Sequence, residues 1–261
     1  MTSPLYTTQL QAGLGLIEET RALLELWQPG MSTAELNHEA LNSGRFPNIS
    51  ARRIRNVVSE CFAPRYLSQD GPPADYLKQL SPVVSSRELS QLMLLYTARA
   101  NTILADFIRE VYWQRYSTGL GSVEKDNGME FILRGIDDGK TSKRWSDSTI
   151  KRVSGYLLGA CADYGLLGSR SRSGRKISPY RIETRVAAFL AHDLHFAGLG
   201  DNAVVSHEDW GLFGLENADV RDELKRVSLQ GHFIIQAAGD VIHIGWQYQS
   251  LQELIDVFVK R

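Results

Sequence analysis

The chain has few of the features that mark secreted, membrane or metal-binding proteins. Its 261 residues include two cysteines, Cys61 and Cys161, which lie far apart with no C-x-x-C companion, so we expect two buried, unreactive thiols. No apolar stretch approaches the ~18 residues of a membrane span, and the first cation, Arg21, comes too late for the basic region of a signal peptide. With 43% hydrophobic and 23% charged residues, the composition predicts a globular protein of the cytoplasm.

Motifs of nucleotide-binding enzymes are also missing. The stretch from Gly135 to Lys140 has three residues between its glycines where a P-loop has four, and its two aspartates would repel phosphate. The glycines of Gly13-Leu14-Gly15 lack the third glycine of a dinucleotide-binding motif and follow no predicted strand. Neither motif therefore indicates a nucleotide site.

The histidines do not form a recognisable metal or catalytic motif. His192 and His195 lie three positions apart on a predicted amphipathic helix, and His207 and Glu208 follow them. Imidazole and carboxylate groups suit zinc, but this spacing is common among surface histidines and no third ligand has a defined spacing. The sequence thus predicts no catalytic residue, no metal and no cofactor, and hence a protein that is not an enzyme.

Positive charge is concentrated in one segment, although the net charge of the chain is −1. Residues 140–185 contain eleven Lys and Arg against three acids, whereas the tail from Ala191 contains eleven acids and five bases. Such a cluster is typical of a protein that binds a polyanion. We expect a basic face and an acidic remainder.

Hydrophobic periodicity of the helical kind dominates the chain. It predicts a mainly α fold of two helical domains, residues 1–118 and 119–261, with helix-turn-helix and winged-helix-like elements and a few short β-hairpins. Capping boxes at Ser32, Ser85 and Ser250 predict three helix starts. The apolar pattern after Ser85 predicts one helix of roughly thirty residues.

The first helix-turn-helix element would end in a helix capped by Ser50. On a helical wheel centred on Ile54, the apolar residues from Ala51 to Phe62 fall on one side. The other side is polar and carries Arg52, Arg55, Asn56 and Ser59. The residues that we predict to contact DNA from this helix are Arg52, Arg53, Arg55 and Asn56. A solvated helix back that carries several arginines is the alternative.

A second basic helix is predicted from Ser148 to Tyr164. Its apolar residues cluster around Ile150, and the opposite face would present Ser148, Lys151, Arg152, Gly155 and Gly159. Two cations followed by residues without side chains suit a recognition helix, because its first turn contacts base edges while its backbone approaches the duplex. Close helix packing through the glycines is the alternative.

A basic hairpin follows the second helix. Its tip, residues 168–174, contains only Gly, Ser and Arg, and a strand is expected from Ile177 to Ile182 with Pro179 at a sheet edge. Helix, helix and hairpin is the order of a winged helix, whose wing grips the neighbouring backbone. The cations that we predict to contact phosphates here and in the preceding loop are Lys143, Arg144, Arg170, Arg172, Arg175 and Lys176. A disordered basic loop is the alternative.

Three stretches resemble the BrxA family, the small non-enzymatic component of bacterial BREX phage-defence systems. They are residues 6–27, residues 49–58 with 65–67, and residues 145–153 continuing to 164–167, and the likeness extends over most of the chain. The resemblance implies a mostly helical accessory protein that binds double-stranded DNA beside a methyltransferase, an ATPase and other defence proteins. The family has also been likened to RNA-binding antitermination factors.

The sequence therefore predicts a non-catalytic protein that binds double-stranded DNA largely through phosphate contacts. One alternative is an RNA-binding factor of the antitermination type, although no aromatic stacking platform accompanies the basic residues. The other is an adaptor whose acidic C-terminal part docks a protein of the defence complex.

Overall fold

Amphipathic helices account for most of the fold, as the periodicity predicts, and a few short antiparallel strand pairs complete it. A computed structural model describes residues 5–11, 14–67, 73–171, 174–238 and 241–260. Two compact units are present: unit 1 is residues 1–78 with 93–180, and unit 2 is residues 79–92 with 181–261. The predicted division between residues 118 and 119 stays a prediction, and that position lies inside unit 1.

The described helices and strands alternate along the chain. The α-helices are α1 (Ile17–Leu26), α2 (Thr33–Asn42), α3 (Ala51–Asn56), α4 (Ala63–Tyr66), α5 (Pro73–Leu80), α6 (Ser86–Ala100), α7 (Thr102–Phe107), α8 (Trp113–Ser117), α9 (Lys125–Asp137), α10 (Asp147–Asp163), α11 (Thr184–Phe196), α12 (Asp201–Val205), α13 (Asn217–Ser228) and α14 (Leu251–Lys260). The strands are β1 (Ser122–Val123), β2 (Leu167–Ser171), β3 (Gly174–Ile177), β4 (Phe233–Ala238) and β5 (Val241–Trp246). Short π-helical segments, Val57–Phe62 and Ile108–Tyr112, join α3 to α4 and α7 to α8.

Serine caps determine where α2 and α3, the helices of the first helix-turn-helix element, begin. Ser32 and Glu35 form the predicted capping box: Ser32 Oγ accepts the Glu35 N–H at 3.2 Å, and the Glu35 carboxylate accepts the Ser32 N–H at 2.8 Å. Gly44 follows α2 with φ at +69°, which glycine adopts without strain. Ser50 then caps α3 by accepting the N–H of Arg53 at 3.3 Å. The predicted helix, turn and helix are confirmed.

The single long helix expected after Ser85 is wrong, because the helix breaks at Asn101. The backbone there has φ −136° and ψ 83°, outside the helical region. The Asn101 side chain donates a hydrogen bond to the Thr97 carbonyl at 2.9 Å, and so satisfies one of the carbonyls left open at the end of α6. Asparagine competes for the helix backbone in this way through its own side chain.

Unit 1 carries a three-stranded antiparallel sheet in the order β1-β3-β2. The strand expected from Ile177 to Ile182 is wrong, because β3 precedes it and ends at Ile177. Pro179 has no N–H to donate to a ladder, and the Ser178 carbonyl accepts the Tyr112 hydroxyl at 2.8 Å. Helices α9 and α10 pack against each other, and α10 also contacts β2.

Unit 2 contains α11, the helix that was predicted to carry His192 and His195, and it runs from Thr184 to Phe196. This helix packs against α13 and α14, and β4 and β5 pair antiparallel as a hairpin. Glu223 of α13 is a buried carboxylate that forms ion pairs with Arg226 and Arg181. Part of the acidic charge of the tail is therefore neutralised within unit 2.

His192 of α11 is buried in an aromatic cluster of unit 2. Its Nδ1 lies 2.7 Å from the Ala188 carbonyl. The rings whose centroids lie 4.9 to 6.2 Å from the imidazole belong to Phe196, Phe233, Trp246 and Tyr248. Burial lowers the pKa of His192 to about 4, because a charged imidazolium would lose its solvation there.

Acid should therefore destabilise the fold through His192. An unfolded histidine has a pKa near 6.5, so in mild acid the unfolded chain binds a proton that folded His192 excludes, and stability is lost as the pH falls from about 6.5 toward 4. We expect the free energy of unfolding to drop by roughly 2 to 3 kcal/mol over that window, and His192→Leu to remove most of the drop. Urea titrations at about pH 7 and about pH 4.5 measure it, with the exposed His38→Leu as control. Equal acid sensitivity of both variants would contradict this role.

Candidate nucleic-acid interface

Helix α10 presents its two N-terminal cations to solvent, as predicted. The helix begins at Asp147 because Ser146 caps it, its Oγ accepting the Thr149 N–H at 3.3 Å. Ile150 is buried, whereas Lys151 and Arg152 are exposed. The amphipathic pattern therefore orients the first turns of α10 as the helical wheel indicates.

The two glycines of α10 lie in different environments. Gly155 is exposed, and a Cβ built on it would meet no atom within 4 Å. A Cβ on Gly159 would lie 2.6 Å from the Leu14 side chain, so the prediction that Gly159 lies on the exposed face is wrong, and the packing alternative holds there. Gly155 alone leaves the helix backbone open to an approaching ligand.

The segment before α1 explains why Gly159 is covered. The Gly15 N–H donates to the Asp163 carboxylate at 2.9 Å, and the buried Arg65 donates to the Leu14 carbonyl at 2.9 Å. The first bond holds Gly15 against the last turn of α10, and the second holds Leu14 against α4. The contact with α10 joins positions 148 residues apart in the chain, and no local pattern in the sequence signals it. Arg65 is thus a structural residue that the sequence interpretation missed.

Two arginines face each other across the basic hairpin. Arg170 of β2 and Arg175 of β3 are Cα partners in the antiparallel register, after an irregularity between Leu167 and Arg170. Arg175 also donates to the Gly168 carbonyl at 3.1 Å. Among the described residues, neither arginine forms an ion pair with an acid. Like charges placed directly opposite each other destabilise a sheet, so this pair is expected to have a compensating partner.

A cleft connects the hairpin to α10. Its volume is about 290 Å³, and its lining residues are Glu124, Lys125, Asp126, Gly155, Leu158, Arg170, Gly174 and Arg175. The cleft therefore brings the open backbone at Gly155 together with both hairpin arginines. Lys151 lies one turn before Gly155 on the same helix face. Two acids at the start of α9 make the charge of the cleft mixed.

The other predicted cations of the hairpin lie elsewhere. Lys176 follows Arg175 in β3, so its side chain leaves the opposite face of the sheet, and it is exposed. Arg172 lies outside the described residues. The DNA contacts predicted for these two residues stay predictions.

The loop before α10 contains both free and engaged cations. Lys143 and Arg144 are exposed, and Arg144 makes a loose ion pair at 4.0 Å with the equally exposed Asp137, which contributes little to stability. Ser148 is exposed too, with its Oγ 3.0 Å from that of Ser146. These side chains are available at the N-terminal end of α10.

Lys140, by contrast, is engaged inside unit 1. Its Nζ lies 3.1 Å from the Tyr6 hydroxyl and 3.1 Å from the Asp106 carboxylate. Desolvation opposes the charge of Lys140, but these hydrogen bonds outweigh it and raise the pKa of the lysine. Arg181 and Arg185 belong to unit 2. The basic segment of the sequence is therefore larger than the basic surface that α10 and the hairpin form.

Helix α3, the second helix of the first helix-turn-helix element, exposes only some of the residues that were predicted to contact DNA. Arg52 and Arg55 are exposed, and Arg53 and Asn56 are half-buried. Ala51, which the wheel assigns to the core side, is exposed because it is the first residue of α3. These positions are consistent with a second basic surface on unit 1, whose contact with DNA stays a prediction.

The described residues offer no alternative metal or membrane site. No group of three or more His, Cys, Asp or Glu among them could hold a metal ion, and none of their helices has the length and apolar character needed to cross a bilayer. Cys61 and Cys161 are both free and buried, as predicted, and burial raises the pKa of each thiol.

Comparisons with known proteins link the chain to one family. The family model of BrxA matches residues 4–193. The tRNA uridine 5-carboxymethylaminomethyl modification enzyme MnmG of Pediococcus pentosaceus is 27% identical over an alignment of 135 residues that covers 49% of this chain. The chain spans only 20% of that curated relative. The crystal structure of an uncharacterized protein from Magnetospirillum magneticum covers 74% of this chain and 95% of its own, with a TM-score of 0.60 and 16% identity. That likeness shows a shared fold alone.

Proposed function

This chain belongs to the BrxA family, and we propose that it is a non-catalytic, cytoplasmic accessory protein of a BREX-like phage-defence system that binds double-stranded DNA. Family membership supports the accessory role in phage defence. The charge distribution supports the choice of DNA as partner, since a basic cluster in a chain of net charge −1 is typical of proteins that bind polyanions.

The observation that carries the proposal is the opposition of Arg170 and Arg175 beside Gly155. The two arginines are Cα partners in neighbouring strands, and like charges at such opposed positions repel each other unless an anion lies close to them. Arginine is suited to phosphate because its planar fork donates two hydrogen bonds at once. The exposed backbone at Gly155 adds room for the sugar-phosphate chain to approach α10.

The elements around this cleft suit a winged-helix mode of binding. We assign α10 as the recognition helix and β2–β3 as the wing, since β1, α9, α10, β2 and β3 follow one another in the order of that motif. In this assignment Lys151 and Arg152 enter a groove. The residues that contact flanking phosphates are Lys143, Arg144, Ser148, Arg170, Arg172, Arg175 and Lys176, and those that form a second contact surface are Arg52, Arg53, Arg55 and Asn56.

Competition between nucleic acids tests the proposal. A fluorescently labelled DNA duplex should bind at about 0.1 M salt, and unlabelled duplex should displace it at roughly ten-fold lower concentration than a hairpin RNA of equal length, because α10 fits the wide major groove of B-form DNA better than the deep, narrow groove of A-form RNA. Fluorescence anisotropy measures both titrations. Preferred displacement by the RNA would favour the antitermination alternative, and no binding to either would favour the adaptor alternative.

A further inference from the structure

The hairpin of unit 2 has one covered edge and one open edge. On the outer side of β5, the N–H of Ile242 donates to the Asn202 side chain at 3.2 Å and the N–H of Ile244 donates to the Asp201 side chain at 2.9 Å. The first two residues of α12 therefore occupy the hydrogen-bonding positions on that edge. Natural sheets usually protect their edges in some such way.

The alternation of the ladder identifies the open edge. Since Ile242 and Ile244 direct their N–H groups away from β4, the alternate residues His243 and Gly245 bond to β4, and their partners are Gln236 and Ile234. Ile235 must then direct its N–H and carbonyl away from β5, as must Phe233 and Ala237. Within the described part of the chain, no group outside β5 bonds to the backbone of β4.

The composition of β4 leaves this edge unprotected. Its sequence, FIIQAA, contains no proline and no charged residue, although both are the usual means of blocking edge pairing. Apolar side chains of the hairpin and of the turn before it are exposed: Ile234 of β4 is 60% exposed, Val241 of β5 is 66% exposed and Leu229, before β4, is 87% exposed. Such a combination favours pairing with another strand.

We propose that β4 pairs antiparallel with β4 of a second copy of this chain, about a two-fold axis at Ile235. The open groups are backbone donors and acceptors spaced two residues apart, so they require an extended strand and not a helix or a nucleic acid. The β4 strand of a second copy supplies such an extended strand, and no charge repulsion opposes the pairing because β4 has no charged residue. In a pair centred on Ile235, the outward N–H and carbonyl of Ile235 bond to the carbonyl and N–H of Ile235 in the second copy. Phe233 then lies opposite Ala237 of the second copy, so the contact is self-complementary.

The dimer should be weak. One strand pair and a few apolar side chains fall short of the roughly 800 Å² per partner that is standard for a stable complex. We therefore expect a dissociation constant on the order of 10 to 100 µM. The pairing does not depend on nucleic-acid binding, since all the residues involved belong to unit 2.

Sedimentation equilibrium without nucleic acid tests the dimer. From about 1 to about 500 µM, the mean mass should rise from the 29.3 kDa of one chain toward twice that value. Ile234→Lys should hold the protein monomeric, because it places a charge beside the open edge. Ile235→Pro should do the same by removing an outward N–H without touching the β4–β5 ladder. The control is Leu133→Lys, which makes the same change at an exposed leucine of unit 1.

Two results would overturn the proposal: a wild-type protein that stays monomeric over this range, or a dimer that Ile234→Lys leaves intact. Hydrogen exchange supplies a second readout should Ile235→Pro fail to fold. At high concentration the amide of Ile235 should exchange more slowly than at low concentration, whereas the amides of Ile234 and Gln236 should be protected at both. A dimer without this change at Ile235 would use another surface and would also refute the pairing.

Discussion

Replacing Arg170 and Arg175 together with glutamine is expected to weaken duplex binding roughly 50- to 100-fold at about 0.1 M salt, with little change in stability. Each neutralised phosphate contributes about 0.9 to the slope of log K against log salt, which is a factor of roughly eight at this salt concentration. The wild-type slope should lie at roughly −5 to −7, for six to eight phosphates, and the double variant should lose about two of these units. Because the two substitutions remove a pair of like charges at opposed positions, the free energy of unfolding should stay within about 1 kcal/mol of the wild-type value.

The control for the arginine pair is the double variant Lys225→Gln with Lys260→Gln. It removes the same net charge from exposed positions of unit 2, so it separates a local contact from a general effect of charge. Anisotropy titrations across salt concentrations give both slopes, and urea unfolding gives the stabilities. An equal loss of affinity in the two double variants would show that the hairpin makes no special contact.

Leucine introduced at Gly155 should abolish most duplex binding while the protein becomes more stable. The side chain would enter open space at the cleft, and loss of a helical glycine contributes about 1 kcal/mol of stability. The same bulk would exclude a sugar-phosphate backbone from α10, so we expect affinity to fall more than about ten-fold, in keeping with the loss of at least one phosphate contact.

Gly159→Leu is the matched change on the same helix, and its effects should be reversed. Its Cβ would lie 2.6 Å from the Leu14 side chain, so overpacking should cost about 1 to 3 kcal/mol of stability. The folded fraction should still bind DNA with an affinity close to wild type. If Gly155→Leu binds normally, the helix backbone does not approach the duplex, and the role of α10 as a recognition helix is wrong.

Local chemistry made the helix boundaries predictable from the sequence. Ser32 and Ser50 accept hydrogen bonds from backbone groups three residues away, so the signal lies within a short window of sequence. The amphipathic face of α10 is predictable for the same reason. At Asn101, a side chain that bonds to its own helix ends an apolar pattern that would otherwise continue.

The features of the candidate site that could not be predicted from the sequence depend on contacts between residues far apart in the chain. The difference between Gly155 and Gly159 arises from Leu14, far away in the chain, and the opposition of Arg170 and Arg175 depends on a register irregularity in β2. Similarly, a count of charges along the sequence includes Lys140 in the basic segment, but in the fold Lys140 bonds to Asp106 and does not join the basic surface. Residue type and spacing thus locate the basic elements, while tertiary contacts decide which of their side chains share a surface.

Mapping of amide chemical shifts during titration with a DNA duplex tests whether α10 and the hairpin form one DNA-binding surface, because it reports on each backbone position. We expect the resonances of Lys151, Gly155, Arg170 and Arg175 to shift together at substoichiometric duplex, while those of α13 stay in place. Shifts confined to unit 2, or shifts at Lys151 without changes at the two hairpin arginines, would contradict a shared surface of α10 and the hairpin.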